Sequence, residues 1–171
     1  MDTTVVQAVR GDAWERIRAL RLEALKTDPD AFGSTYEAEL GRPESWWRER
    51  ADDPDCLTLI GAVEGRAGGL CVARPWRDEP EVLGLFAMWV APWARRRGLG
   101  AALVRSVRAH GLTAASRSVR LEVEAGNRAA EALYRGLGFR PTGRSYRQPA
   151  PREHLVEREF VLELARARSD Q

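Results

Sequence analysis

The chain has 171 residues, 27 basic and 25 acidic, with 44% hydrophobic and 30% charged positions. That makeup fits one ordinary globular domain with a proper apolar core and excludes collagen-like or disordered chains. A formal net charge of only +2 sets up no overall field that calls for a nucleic-acid partner.

Lys26 is the sole lysine, so the basic charge is almost all arginine, a bias of the kind that genome base composition produces. Two cysteines, Cys56 and Cys71, make no disulfide framework; both fall in strand-like runs and read as buried thiols. His110 and His154 lie far apart, so no metal site is expected. No apolar run of membrane-spanning length occurs, and no leader-like segment opens the chain, so a cytoplasmic location and no membrane contact are expected.

In chain order, Thr3 to Ala8 alternates as a first strand. Asp12 with Glu15 reads as a capping box opening a helix, whose apolar face is Trp14, Ile17, Leu20, Leu22 and Leu25. Thr27-Asp28-Pro29-Asp30 stops it. Ala31 to Glu37 reads as irregular, followed by a short helix from Pro43 to Arg50. Cys56 to Val63 and Ala67 to Arg74 form a hairpin across Glu64-Gly65-Arg66, and Trp76 to Pro80 a polar turn. Leu83 to Val90 is a strand buried on both sides. A helix from Gly98 to His110 follows, ended by Gly111. Val119, Leu121 and Val123 alternate with charges in a half-buried strand. Arg128 to Leu137 is a helix closed by Gly138, and Phe139 to Tyr146 and Leu155 to Leu164 are the last strands.

The stretch from Val90 to Val104 carries the chemistry. A buried strand runs into Pro92, three consecutive arginines and two glycines, Gly98 and Gly100, and a helix runs out. The first turn of a helix has unpaired N–H groups and the positive end of the macrodipole, which suits an anion. Glycines let an oxygen-rich ligand reach the backbone, and a diphosphate fits that description. The motif is neither a Rossmann fingerprint, since Leu103 stands where a third small residue belongs, nor a Walker loop.

Arg95-x-x-Gly98-x-Gly100, preceded by Val90-x-Pro92, and then Asn127, Ala130, Leu133-Tyr134 and Gly138-Phe139 follow in order. In these two hallmarks the sequence resembles the GCN5-related N-acetyltransferase (GNAT) superfamily. The resemblance implies one domain over residues 1–171 of α/β (α+β) class. Its fold is a mixed, mostly antiparallel sheet of about seven strands, with splayed central strands and about four flanking helices.

It further implies acetyl-CoA as cosubstrate, an amine acceptor, no metal, and direct transfer without a covalent acetyl-enzyme. Dimers are frequent in such folds. Met88, Trp89 and Val90 would offer their backbone edge to the pantetheine arm. Arg95, Arg96, Arg97, Gly98, Leu99, Gly100 and Ala101 would hold the diphosphate, and Asn127 and Ala130 the rest of the arm. Tyr134 would be the general acid for the leaving thiolate, although a core aromatic fits the same position, as a helix N-cap does for Asn127. Many relatives carry a glutamate near the position held here by Gly84, so the base stays open between Glu81, Glu122 or Glu124 on the adjacent strand, and a water chain with no single base, with Glu81 and Glu124 the candidates put forward. Phe32, Tyr36 and Glu37 would border the acceptor, or plug the core. A non-catalytic acyl-CoA-binding module is the rival reading.

Overall fold

The structure, a computed structural model, describes residues 3–164; the other positions of the expected domain lie outside the described residues. Its elements are β1 (Thr4–Val9), α1 (Trp14–Thr27), α2 (Tyr36–Leu40), α3 (Glu44–Asp52), β2 (Leu57–Val63), β3 (Arg66–Trp76), β4 (Glu79–Val90), α4 (Leu99–Thr113), β5 (Ser118–Glu124), α5 (Arg128–Gly136), β6 (Arg140–Arg147) and β7 (Val156–Glu163). The strands form one seven-stranded sheet in the order β1-β2-β3-β4-β5-β7-β6. All neighbours are antiparallel except β4 and β5. The expected mixed, mostly antiparallel sheet with flanking helices is what forms.

Each strand follows from its sequence pattern. The β2–β3 hairpin turns on Glu64 and Gly65, both at positive φ (51° and 80°), the geometry of a tight two-residue connection. On β5, Val119, Leu121 and Val123 are buried, whereas Arg120, Glu122 and Glu124 are half-exposed on the other face.

Helix α4 lies on one face of the sheet. Its buried residues, Leu99, Leu103, Val104, Val107 and Gly111, recur at helical spacing. The sheet beneath is thinned to receive it: a Cβ on Gly61 would come 2.6 Å from Leu99 Cδ1, and one on Gly69 2.9 Å from Leu103 Cδ1. This packing sets where α4 begins. Helices α1 and α3 pack together near β3 on the opposite face, joined by Gly11 N–H donating to Asp52 Oδ1 at 2.8 Å.

Several local expectations are corrected. Asp12 and Glu15 make no capping box: a short 3₁₀ turn at Gly11–Ala13 leads into α1, and no side chain caps either start. Asp52, distant in sequence, does the anchoring instead. Tyr36 and Glu37, expected to be irregular, begin the helix α2, capped by Thr35 Oγ1 accepting from Ala38 N–H at 3.2 Å. The turn expected over Trp76 to Pro80 is narrower: β3 runs to the buried Trp76 and β4 starts at Glu79, which pairs with it, leaving only Arg77 and Asp78 in the turn. Gly111 does not end α4 but sits buried inside it, where a Cβ would meet Leu164 Cδ1 at 2.8 Å. Cys71 is buried as expected, but Cys56 precedes β2, is half-buried, and donates to Asp53 Oδ2 at 3.4 Å. Among the described residues no helix is long and apolar enough to cross a membrane.

The sheet opens in the middle. β4 and β5 pair only through Val82, Leu83 and Gly84 against Ser118, Val119 and Arg120. Beyond Gly84, β4 continues to Val90 with a bulge: Val72 faces Phe86 and Leu70 faces Trp89, and Ala87 takes φ 51°. A bulge bends its strand and increases the twist. β5 meanwhile stays zipped to β7 along its whole length, Ser118 to Glu124. The two central strands therefore diverge towards their C-terminal ends.

Leu99 is 1% exposed and anchors the start of α4 at this opening. Leu99→Ala is expected to cost about 2–5 kcal/mol of unfolding free energy in urea titrations. The loss should exceed that of Leu112→Ala, which removes a side chain already 47% exposed.

Candidate active site

A cleft of about 950 Å³ fills the gap between β4 and β5, lined by the end of α1, the end of β4, the start of α4, Glu124 and α5. Its size lies in the upper range of small-molecule sites. Most residues singled out from the sequence meet here: Met88, Trp89, Val90, Arg95, Arg96, Gly98, Gly100, Ala101, Glu124, Asn127, Ala130 and Tyr134 all line it.

One end of the cleft is bare backbone. Gly98 precedes α4 in the left-handed region, φ 82°, with open space where a Cβ would stand. A Cβ on Gly100 would come within 3.1 Å of Leu133 and 3.5 Å of the Met88 methyl, closing the space between α4, α5 and β4. No side chain caps α4, so its first-turn N–H groups keep their hydrogen-bonding capacity for a ligand. Leu99, between the two glycines, points into the core, leaving only its backbone for the cleft.

The side wall is the unpaired edge of β4. Ala91 N–H donates to Gly68 O on β3 at 2.8 Å. The carbonyl of the same peptide unit, that of Val90, must point the opposite way, into the gap.

The three consecutive arginines go to three different places. Arg95 Nη2 donates to Asp28 Oδ2 at 2.6 Å and its Nε to the Val90 carbonyl at 2.9 Å. Arg96, at φ 60°, is exposed and lines the cleft. Arg97 turns to Glu64 at 3.3 Å and is not part of the cleft wall.

Opposite β4, Asn127 caps α5, its Oδ1 accepting from Ala130 N–H at 3.1 Å. Two helical turns on, Tyr134 is 5% exposed and reaches the cleft from below. Its ring packs on Phe139, centroids 5.7 Å apart, while its hydroxyl makes no hydrogen bond among the described residues. Burial, reinforced by the nearby buried Cys71, pushes the phenol well above its ordinary ionisation range. Tyr134 therefore stays protonated, an available O–H donor at the cleft wall. Burial likewise pushes the Cys71 thiol up to about 12.

The two candidate bases separate. Glu124 lines the cleft, on the same wall as Asn127. Glu81 lies at the far, zipped end of β4, 3.6 Å from Arg117, away from the cleft wall. Between them on β5, Glu122 is bound to Arg77; burial nevertheless raises its carboxyl. Phe32, Tyr36 and Glu37 do not line the cleft: Phe32 is buried under Arg21, Tyr36 packs at the core edge near Lys26, and Glu37 is exposed.

The sequence reading missed Asp28 and Asp30, which border the cleft beside Thr27. They read only as a helix stop, and nothing local shows that α1 ends against β4. Glu39, 6% exposed, lies on a second cavity of about 160 Å³ between α1, α3 and β3. Burial alone would raise that carboxyl, but two hydrogen bonds from Arg21, at 2.8 and 2.9 Å, hold it below the usual range.

The model of the acetyltransferase (GNAT) family matches residues 14–139. The chain belongs to this family. The GNAT match takes in α1, the diverging strands β4 and β5, the glycine turn and the Asn127–Phe139 segment together. A mouse relative, N-acetyltransferase family 8 member 3, is 35% identical over 90 residues, 51% of this chain but only 40% of the relative's length. Among solved structures, the Escherichia coli ribosomal-protein-S18-alanine N-acetyltransferase superposes with TM-score 0.72 at 18% identity, over 99% of both chains. The Salmonella typhimurium protein yncA, solved with its cofactor acetyl-CoA, gives 0.74 at 16% identity over 99% of this chain and 98% of its own. At such identities these two matches establish the GNAT fold and leave the substrate open.

Two buried neutral acids beside the cleft give a stability signature. A folded-state pKa above the unfolded one means that stability is full below the unfolded value and falls as pH rises towards the folded one. For Cys71 that window runs from its ordinary value, 9.0, to about 12. Urea titrations over this range should show stability declining, Cys71 contributing up to about 1.4 kcal/mol per pH unit. Cys71→Ala should make the decline shallower.

Proposed function

We propose that this protein is an acetyl-CoA-dependent N-acetyltransferase that transfers acetyl directly to a primary amine of a small molecule or peptide. The observation that carries the reading is the cleft itself. It has an anion-suited helix start at one end and, in its wall, a protonated tyrosine hydroxyl that makes no hydrogen bond among the described residues. The residues fit the donor: the bare turn at Gly98 and Gly100 suits a diphosphate, and the unpaired edge of β4 suits an amide-bearing arm.

Acetyl-CoA supplies the activated thioester; the chain supplies binding, orientation and proton handling. Backbone N–H groups from Arg96 to Ala101 hold the diphosphate, with the Arg96 guanidinium adding charge. Met88 and Val90 align the arm by strand-like pairing. Asn127 keeps α5 at the cleft through its cap and faces the arm. Glu124 takes the proton from the attacking amine, through water where the acceptor requires it. As the amine nitrogen bonds to the acetyl carbonyl carbon and the C–S bond breaks, Tyr134 Oη gives its proton to the departing sulfur, and the proton taken up at Glu124 returns through solvent to the tyrosinate.

The test is release of free CoA thiol with a panel of amines. Wild-type protein should release thiol with at least one amine class. Tyr134→Phe and Glu124→Gln should each lower kcat by about 10²–10⁴ with little change in acetyl-CoA affinity. Thiol release by no amine, with acetyl-CoA binding intact, would leave a binding module instead of an enzyme. A second measurement concerns the donor. Because backbone donors hold the diphosphate, Gly100→Val should weaken acetyl-CoA in titration calorimetry more than Arg96→Ala. The reverse order would remove the backbone cradle.

A further inference from the structure

We infer that Asp28 and Arg95 form a latch that positions the donor groove, Arg95 acting on the backbone of β4 and not on the phosphates. The inference rests on the acetyl-CoA reading above. Asp28 ends α1, its N–H donating to Ala24 O at 2.9 Å. Its Oδ2 receives two donors: the Trp89 indole N–H at 2.7 Å and Arg95 Nη2 at 2.6 Å. Trp89 is 4% exposed, so one of these anchors is fixed in the core. Arg95 closes the ring through Nε, which donates to the Val90 carbonyl at 2.9 Å.

That carbonyl points into the gap between β4 and β5. It is thus one of the edge groups that a pantetheine arm would meet, and Arg95 already occupies one side of it. The guanidinium spans two acceptors in one plane, an arrangement that an ammonium group does not reproduce. With Nε and Nη2 committed and its charge balanced by Asp28, Arg95 is turned from the helix start that Arg96 faces.

The latch also joins the two sides of the site. Residues 28–31 form part of the cleft wall, and the segment is gripped from the β6–β7 loop. There Arg152 donates to Pro29 O at 2.9 Å and to Phe32 O. The wall is tied to the diphosphate turn at one end and to the last two strands at the other. Loss of Asp28 frees the turn, the Val90 carbonyl and this wall together.

The decisive comparison is between acetyl-CoA and acetyl-pantetheine, which shares the arm and thioester but lacks the diphosphate. Dissociation constants are measured by titration for wild type, Asp28→Asn, Arg95→Ala, Arg95→Lys and the Asp28→Asn/Arg95→Ala double variant, with thermal unfolding confirming that each is folded. The latch requires Asp28→Asn and Arg95→Ala to weaken both donors by a similar factor, roughly tenfold. Arg95→Lys should recover only part of the loss, and the double variant should bind no worse than Arg95→Ala alone.

A loss confined to acetyl-CoA would make Arg95 a phosphate ligand and overturn the latch. Independent, additive losses, or no loss in any variant, would overturn it as well. Wild-type protein that binds neither donor would sink the acetyltransferase reading itself, a result distinct from normal binding without coupling.

Discussion

β4 and β5 share a parallel ladder only from Val82 to Gly84 and from Ser118 to Arg120, and the rest of the architecture either enforces or exploits that short contact. A sheet gains by continuing to pair, since unpaired N–H and C=O groups buried away from water are costly. Two features keep it from zipping further. The bulge at Ala87 bends β4 away, and β7 holds β5 along its whole length on the other side. The freed edge of β4 is left with hydrogen-bonding capacity facing the cleft.

The charges around the cleft are sorted by tertiary partners. Arg95, Arg96 and Arg97 are adjacent in sequence, yet one is bound to Asp28 and Val90 O, one faces the cleft, and one pairs with Glu64. The acids divide in the same way: Glu79 and Glu81 engage Arg117 and Arg120 at the zipped end of the strands, whereas Glu124 stands at the open end. A count of arginines or glutamates therefore says little about the site. Local charge follows from where the strands part and which side chains are already paired.

Tyr134 shows how fold and chemistry meet in one residue. It belongs to the buried core and also lines the cleft. The ring packs on Phe139, and the hydroxyl makes no hydrogen bond among the described residues. Asn127 is a cap in fact, and its place on the cleft wall follows from that cap, since it starts the helix carrying Tyr134.

The sequence by itself determined the elements whose signals are local and periodic: the amphipathic α4, the alternating β5, the hairpin at Glu64–Gly65 and the glycine turn with its helix start. These depend on burial of one face and on backbone freedom at a few glycines, both readable from spacing. It misjudged the features set by distant partners. The start of α1 is held by Asp52 rather than by its own cap residues, and Gly111 makes room for Leu164 instead of ending a helix. Only the tertiary structure decided that Glu124 and not Glu81 borders the cleft, that the three arginines diverge, and that Asp28 belongs to the site. Each of these depends on which strands stay paired and which side chains meet across the sheet, and one-dimensional spacing does not encode that.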